Sequence, residues 1–489
     1  MPSLSDQVRV HTRRHRIPRP GALPAWSALA ARFGPGEVYL LESATGPGQD
    51  ARHEFIGFGE LLTVSVTRGA VHVGGVPALR DAVLDRTRGL LVADGDTLRL
   101  PAMTDLWPVL RAVQGTFDAE GSASRFSFGF LAYFGYDAVR YIEELPYLIE
   151  QEPSLPDVHL VLYRGCLTHE VGAAESELLL FDSDAWPALP DDIVGLLAGA
   201  PPVDPPRLAE VTGWSDDTAR EDYLTTVEAC LKHIAIGDIY QVQIGHELTV
   251  RTPTPPLDAY QRLRERNASP FMYLTALGGH TLVGASPELF VRVEDGNVLM
   301  RPIAGTVPRG GPDGDEAAAR RLLADPKELA EHTMLVDLCR NDVGRICRRD
   351  TLDVPEHFSI ERYSHVQHLV STVSGQAEEQ VDSYDIIPAL FPAGTMTGAP
   401  KIRAMEIIEA MEHSRRGLYG GALGLIDVGG YLNMALCIRT LIHHDGEYRT
   451  RASAGVVADS DAGREWTETL AKLSAAFWAV TGRELLQED

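Results

Sequence analysis

Short alternating runs of apolar and polar residues, broken by glycine and proline, fill the first third of the chain. Val38-Tyr39-Leu40-Leu41-Glu42-Ser43 reads as a strand stopping at Gly46-Pro47-Gly48, and Phe55-Ile56-Gly57-Phe58 leads into the alternation Leu62-Thr63-Val64-Ser65-Val66. Residues 20 to about 180 thus predict short strands with helices between them. From 186 to 206 the pattern gives way to Pro, Asp, Ala and Gly, including Pro201-Pro202 and Pro205-Pro206. That shift predicts a boundary between an N-terminal region, 20–200, and a second domain, 210–489.

Helical spacing begins near Ser215, a suitable cap, with Tyr223, Val227, Leu231 and Ile234 on one stripe and Gly237 as the stop. A strand over 239–246 puts Tyr240, Val242 and Ile244 on one face and Gln241 and Gln243 on the other. Glutamines on the inner face of a core strand need partners, so that face predicts a cavity wall. Strands follow over 279–293, 298–303, 367–375, 421–426 and 431–443, with a long helix over 315–347 that Pro326 can break and a final helix over 463–480. The elements do not alternate as βαβα, which predicts an α+β fold with antiparallel sheets and helices on their outer faces.

One glycine loop runs straight into a helix: Phe391-Pro392-Ala393-Gly394-Thr395-Met396-Thr397-Gly398-Ala399-Pro400-Lys401-Ile402-Arg403. Pro400 suits the first helical turn, and Met405, Ile408 and Met411 recur at helical spacing. Free N–H groups, the helix dipole, Lys401 and Arg403 then predict an anion site. The loop is not a nucleotide P-loop, because Ala-Pro separates Gly398 from Lys401 and no Ser or Thr follows the lysine. A capped surface helix is the plainer reading of the loop taken alone.

Composition narrows the partners. The 489 residues carry 44 Lys+Arg against 69 Asp+Glu, a net charge of -25, which argues against nucleic acid or an anionic membrane. A small anionic substrate would need local cations or a metal. Five scattered cysteines without C-x-x-C spacing point to neither a disulfide framework nor a zinc site, and to a reducing, cytoplasmic compartment. No apolar run approaches the roughly 20 residues of a membrane span. The head of the chain, with Arg9, Arg13, Arg14, Arg16 and Arg19 and no hydrophobic segment after them, is expected to be a solvated basic arm over 1–19 rather than a secretory signal.

Glu328 and Glu331 share one helix face, and Glu465, Glu468 and Lys472 share another. If these faces meet over a pocket, a hard divalent cation must join them, and Mg²⁺ suits oxygen ligands and a carboxylate substrate. Singly, each fits a solvated acidic face. Glu288, in Ser286-Pro287-Glu288, is placed to be a general acid or only a turn cap. His368 starts an apolar strand, where a core histidine bonded to backbone is the usual occupant.

With Ser286-Pro287-Glu288, Pro302-Ile303-Ala304-Gly305-Thr306, Glu328-Leu329-Ala330-Glu331-His332, Leu338-Cys339-Arg340-Asn341-Asp342, Gly394-Thr395-Met396-Thr397-Gly398-Ala399-Pro400-Lys401 and Gly455-Val456-Val457-Ala458-Asp459-Ser460 in this order, the chain resembles the chorismate-utilising enzymes, above all anthranilate synthase component I. The resemblance covers most of 215–489; before that it is weaker and rests on Leu40 to Ser43 and Phe55-Ile56-Gly57. It implies two packed antiparallel sheets with helices outside, a regulatory N-terminal region and a magnesium-dependent site. By position, Glu328, Glu331, Glu465 and Glu468 look like the Mg²⁺ site. Tyr419, Arg439, Gly455 and Lys472 look like carboxylate holders, with Thr395, Gly398 and Lys401 nearby. Glu288 resembles the acid that protonates the departing C4 hydroxyl, and His368 the histidine tied to pyruvate elimination.

Gln241 stands where relatives that add water have a lysine base, and Ala304 where many aminodeoxychorismate synthases carry a nucleophilic lysine, so the resemblance implies ammonia attack at C2. The expected product is anthranilate, on the tryptophan route or a related one. Alternatives are release of 2-amino-2-deoxyisochorismate, a 4-amino product on the folate route, or a non-catalytic protein keeping the fold. No glutamine-hydrolysing domain is visible in the sequence, so a separate glutamine amidotransferase subunit is the expected partner, and an oligomer is expected. Glu42, Ser43, Pro270 and Met272 resemble a tryptophan-inhibition site. Ala268 and Phe271 depart from its usual Asn-Pro-Ser-Pro-Tyr-Met form, and Gln243-Ile244-Gly245-His246 departs from the family's commoner Val-Val-Pro-Ser or Val-Val-Leu-Ser.

Overall fold

The computed structural model describes residues 7–46, 48–190, 192–363 and 366–486. Pro47 of the expected turn, residues 1–6 of the expected arm, and Ser364 and His365 lie outside them. Among the described strands, pairing is antiparallel except where Val8–Val10 run beside Phe117–Ala119. Helices cover the strands, as the α+β reading expects. Among the described residues no helix is long and apolar enough to cross a membrane.

The basic arm is a correction. Val8–Pro18 is a strand, antiparallel to Glu175–Asp182, with Val10 and Ile17 buried. Its arginines lie on both faces of the strand: Arg9, Arg14 and Arg16 are exposed, Arg13 and Arg14 pair with Asp182 and Glu177, and Val10 and Ile17 fill the core. Arg13 reaches back to donate to the Leu189 carbonyl at 2.8 Å.

Residues 200–212 form an irregular connection where proline was dense. Hydrogen bonding nevertheless runs across that point: Val38–Glu42 pairs with Phe271–Leu277, and Gly129–Phe134 pairs with Ala422–Asp427. One apolar core draws on both sides, from Phe130 and Tyr133 to Leu423 and Leu425.

The helix expected from Ser215 begins later. Ser215 lies in the edge strand Gly213–Asp216, paired with 248–251, and the helix is Arg220–Ala235. Asp216 and Asp217 make the turn between them, accepting from the Thr218 and Glu247 amides. Gly237, at φ +83°, ends the helix where expected. Pro326 does break the long helix, into Gly311–Ala324 and Pro326–Gly344. Proline has no N–H and fits a first turn, and Asp325 caps that turn by accepting from the Lys327 amide at 2.9 Å. The last helix, Ala462–Thr481, is capped by Asp461 and closed by Gly482 in the left-handed region at φ +68°.

Candidate active site

A cavity of about 250 Å³ opens where four strands and two acidic helices converge. Gln241 and Gln243 enter it from the strand Gln241–Arg251, and Ser453 and Gly455 from its neighbour Glu447–Val456. Ala304 and Gly305 come from Ile303–Pro308, whose bulge against the strand Val366–Gln376 sits at this point. The latter strand supplies His368.

The two acidic ridges meet. Glu328 and Glu331 from one helix and Glu465, Glu468 and Lys472 from the other line the same cavity. Burial, then the charges of Glu328 and Glu468, push the Glu331 carboxyl up to about 7. Glu328 and Glu465 are also raised, first by burial. Gln241 donates from Nε2 to Glu331 at 3.2 Å, and Lys472 donates to Glu468 at 2.7 Å and to the Ser453 carbonyl at 2.9 Å. Such a ring of oxygen donors, held together against mutual repulsion, suits a hard cation.

Across the cavity Glu288 is buried, and burial pushes its carboxyl up to about 8 despite a 3.0 Å hydrogen bond from Thr395 and the nearby Lys472 and Arg439. At neutral pH it is mostly an acid with a proton to give. His368 is pushed down to about 4 by burial and then by Arg439, so its imidazole is neutral; Nδ1 lies 3.4 Å from the Gly305 carbonyl oxygen. Arg439 sits at φ +50°, a costly backbone state for a residue with a Cβ, and among the described residues no carboxylate pairs with it. Its positive charge lines the cavity.

Tyr419 donates to Ser453 Oγ at 2.6 Å, and Ser453 donates to Gln243 Oε1 at 2.9 Å. A Cβ on Gly455 would lie 2.8 Å from Gln241 Nε2 and 2.9 Å from Gln243 Nε2, so only glycine lets both amides reach the floor. Ser453 was missed from sequence, although strand alternation puts it on the Gly455 face. Also missed was the ionic floor beneath. Glu412 accepts from Arg416 and from Arg451, each at 2.7 Å, and Arg416 donates to the Gln243 and Met396 carbonyls.

Two expected members are elsewhere. The Pro400 turn forms no anion site: Pro400 is an extended cap before the helix Lys401–Met411, and Lys401 donates to Asp342 at 2.8 Å. Arg403 pairs with Glu406 and Asp238. Both cations are spent on internal carboxylates. Gly398 pairs with Val242, and a Cβ there would meet the Gln241 carbonyl oxygen at 2.1 Å, so it serves close strand packing rather than the cavity. Thr395 alone of that loop's polar side chains reaches the cavity. Glu42, Ser43, Pro270 and Met272 line a second, smaller cavity of about 40 Å³, in which Glu42 already accepts from Tyr260 and Arg264.

The family model described as chorismate binding enzyme matches residues 79–477. The chain is a chorismate-binding enzyme. It is 63% identical over 487 residues to a Streptomyces globisporus 2-amino-4-deoxychorismate synthase, covering 99% of each chain. It is 36% identical to an Acinetobacter calcoaceticus anthranilate synthase component 1, covering 91% of this chain and 90% of the relative. Among solved structures, anthranilate synthase component I of Streptococcus pneumoniae superposes with a TM-score of 0.71 at 28% identity, over 87% of this chain and 92% of that one. The resemblance to anthranilate synthase component I read from the motifs is therefore borne out, as is the fold it implied. This chorismate-binding enzyme carries its carboxylates, its buried acid and its unpaired arginine around one cavity.

Proposed function

We propose that the enzyme adds ammonia to C2 of chorismate, expels the C4 hydroxyl and releases the aminated product with its enolpyruvyl ether intact. The observation that carries this is identity of 63% along the whole chain to a 2-amino-4-deoxychorismate synthase, against 36% to an anthranilate synthase. An amine at C2, no hydroxyl at C4 and a retained enolpyruvyl group also describe 2-amino-2-deoxyisochorismate, the alternative to anthranilate weighed from the sequence.

The cavity supports the chemistry. Ammonia forms the N–C2 bond, the ring double bonds shift, and the C4–O bond breaks with the oxygen leaving as water. Glu288, neutral at pH 7, supplies the proton to that oxygen, and Thr395 orients its carboxyl. Arg439, Tyr419, Lys472 and the Gly455 backbone suit the two substrate carboxylates. Gln241 has no basic nitrogen with which to activate water, and Ala304 leaves the approach to C2 open.

Magnesium fits the oxygen donors of Glu328, Glu331, Glu465 and Glu468; burial and then the neighbouring carboxylates have already raised Glu331. Bound there, it would neutralise the acidic ring and hold a substrate carboxylate. A separate glutamine amidotransferase subunit is the source of ammonia in this reading. For regulation, a cavity of about 40 Å³ with Glu42 already bonded leaves little for an indole ring. Titration with tryptophan is expected to leave turnover unchanged.

A second reading keeps pyruvate loss and anthranilate as product; the neutral His368 in the cavity favours it. Mass analysis after incubation with chorismate, MgCl₂ and ammonium separates the two. An aminated compound retaining the enolpyruvyl group is expected; a fluorescent aromatic amine with equimolar pyruvate would replace the first reading by the second.

A further inference from the structure

Asp216, Asp217 and His246 offer ligand atoms within 4.8 Å of one another, the composition of a metal site. Their atoms are already engaged. His246 Nδ1 is 2.9 Å from Asp216 and Nε2 is 2.8 Å from Thr469 Oγ1, while Asp217 accepts from the Glu247 amide and from Arg451. An imidazole with both nitrogens hydrogen-bonded has no lone pair left for a cation. Its arrangement is that of a strut.

His246 is fully buried, on the face of the strand Gln241–Arg251 opposite Gln241 and Gln243. Its ring stacks on Trp466 at 4.5 Å and 20°, with the Tyr223 ring edge-on at 5.7 Å. Trp466 and Thr469 belong to the helix Ala462–Thr481, and each adjoins one of that helix's cavity carboxylates, Glu465 and Glu468. Asp216 belongs to the edge strand Gly213–Asp216, whose pairing with the glutamine strand is independent of the helix. One side chain thus ties a sheet edge to the helical turn that presents the acidic ridge.

We infer that His246 is a positioning residue: held by Asp216, it grips Thr469 and Trp466 and sets the rotation of the C-terminal helix so that Glu465 and Glu468 face the cavity. Each residue of a helix turns its side chain by about 100°, so a small rotation carries a carboxylate ångströms away from a shared ion. The inference rests on the magnesium reading above.

Calorimetric titration with MgCl₂ alone tests it. Thr469→Val, close in shape and lacking the hydroxyl, and His246→Ala are each expected to weaken Mg²⁺ binding roughly tenfold, the scale for loss of a supporting contact behind metal ligands. The double variant should lose no more than either alone. His246→Gln, whose amide can still reach the Thr469 hydroxyl, should recover most of the affinity. The Mg²⁺ concentration for half-maximal turnover should rise in step, with a smaller change in kcat at saturating Mg²⁺. Where circular dichroism shows His246→Ala misfolded, Thr469→Val, which leaves no cavity, carries the test. Wild-type Mg²⁺ affinity in Thr469→Val, or a loss of kcat at saturating Mg²⁺ with affinity unchanged, overturns the inference alone. A wild-type enzyme that neither binds nor needs Mg²⁺ overturns the magnesium reading and this inference with it.

Discussion

Glu288 shows how much one buried carboxyl depends on its surroundings. Its amino-acid type and its place after Ser286-Pro287 mark it as a candidate acid, but only burial lifts it to about 8, against the pull of Thr395, Lys472 and Arg439. If the neutral form gives the proton, kcat is at its plateau well below pH 8 and falls as pH rises through about 8, because ionisation removes the proton to be donated. Glu288→Gln should cost roughly 10²–10⁴-fold in kcat with the thermal melt preserved, and should abolish that alkaline limb. A pH profile of kcat for both proteins checks this. Gly455 depends on space instead: Gly455→Ala would push both glutamine amides from the cavity floor. A fall of about tenfold or more in kcat/KM, about 1.4 kcal/mol, is expected in steady-state assays.

At the scale of elements, local signals were sound where one stretch of chain decides the outcome. Pro326 broke the helix as expected, and Gly237 stopped one as expected, because both act through their own backbone. Ser215 misled because a serine before an apolar stripe caps a helix only if its backbone is free, and here strand pairing with Thr249 holds it. Asp325 caps the turn that presents Glu328, so Asp325→Ala should cost about 1 kcal/mol, read from chemical denaturation, and loosen one acidic ridge. Glu468 is half exposed and paired with Lys472, so Glu468→Gln should leave the melt unchanged. Loss of its charge from the proposed magnesium site should nevertheless abolish turnover.

At the scale of the whole molecule, the head and the middle of the chain are joined by sheet pairing that no local pattern shows. The strand Val8–Pro18 covers the edge of Glu175–Asp182, whose Leu178 and Leu180 are buried. Removing residues 1–18 would bare that edge, and the truncated chain is expected to aggregate or elute as large species on size exclusion, where the full chain does not. The excess of negative charge likewise gains meaning only from its placement. It is what remains after every Lys and Arg is counted, and part of it is gathered in the acidic ridges at the cavity.

By itself the sequence determined the α+β class, the helix caps and breaks, and the set of groups able to do the chemistry, because periodicity, capping and side-chain type are local properties. Its motifs also contained the family. Tertiary structure decided which of those groups meet: Lys472 and Arg439 reach the cavity, whereas Lys401 and Arg403 end on carboxylates of their own neighbourhood. It also decided that burial keeps the Glu288 carboxyl protonated and the His368 imidazole neutral. The reason is that burial and charge fields are sums over neighbours brought together from hundreds of residues apart, and no window along the chain contains them.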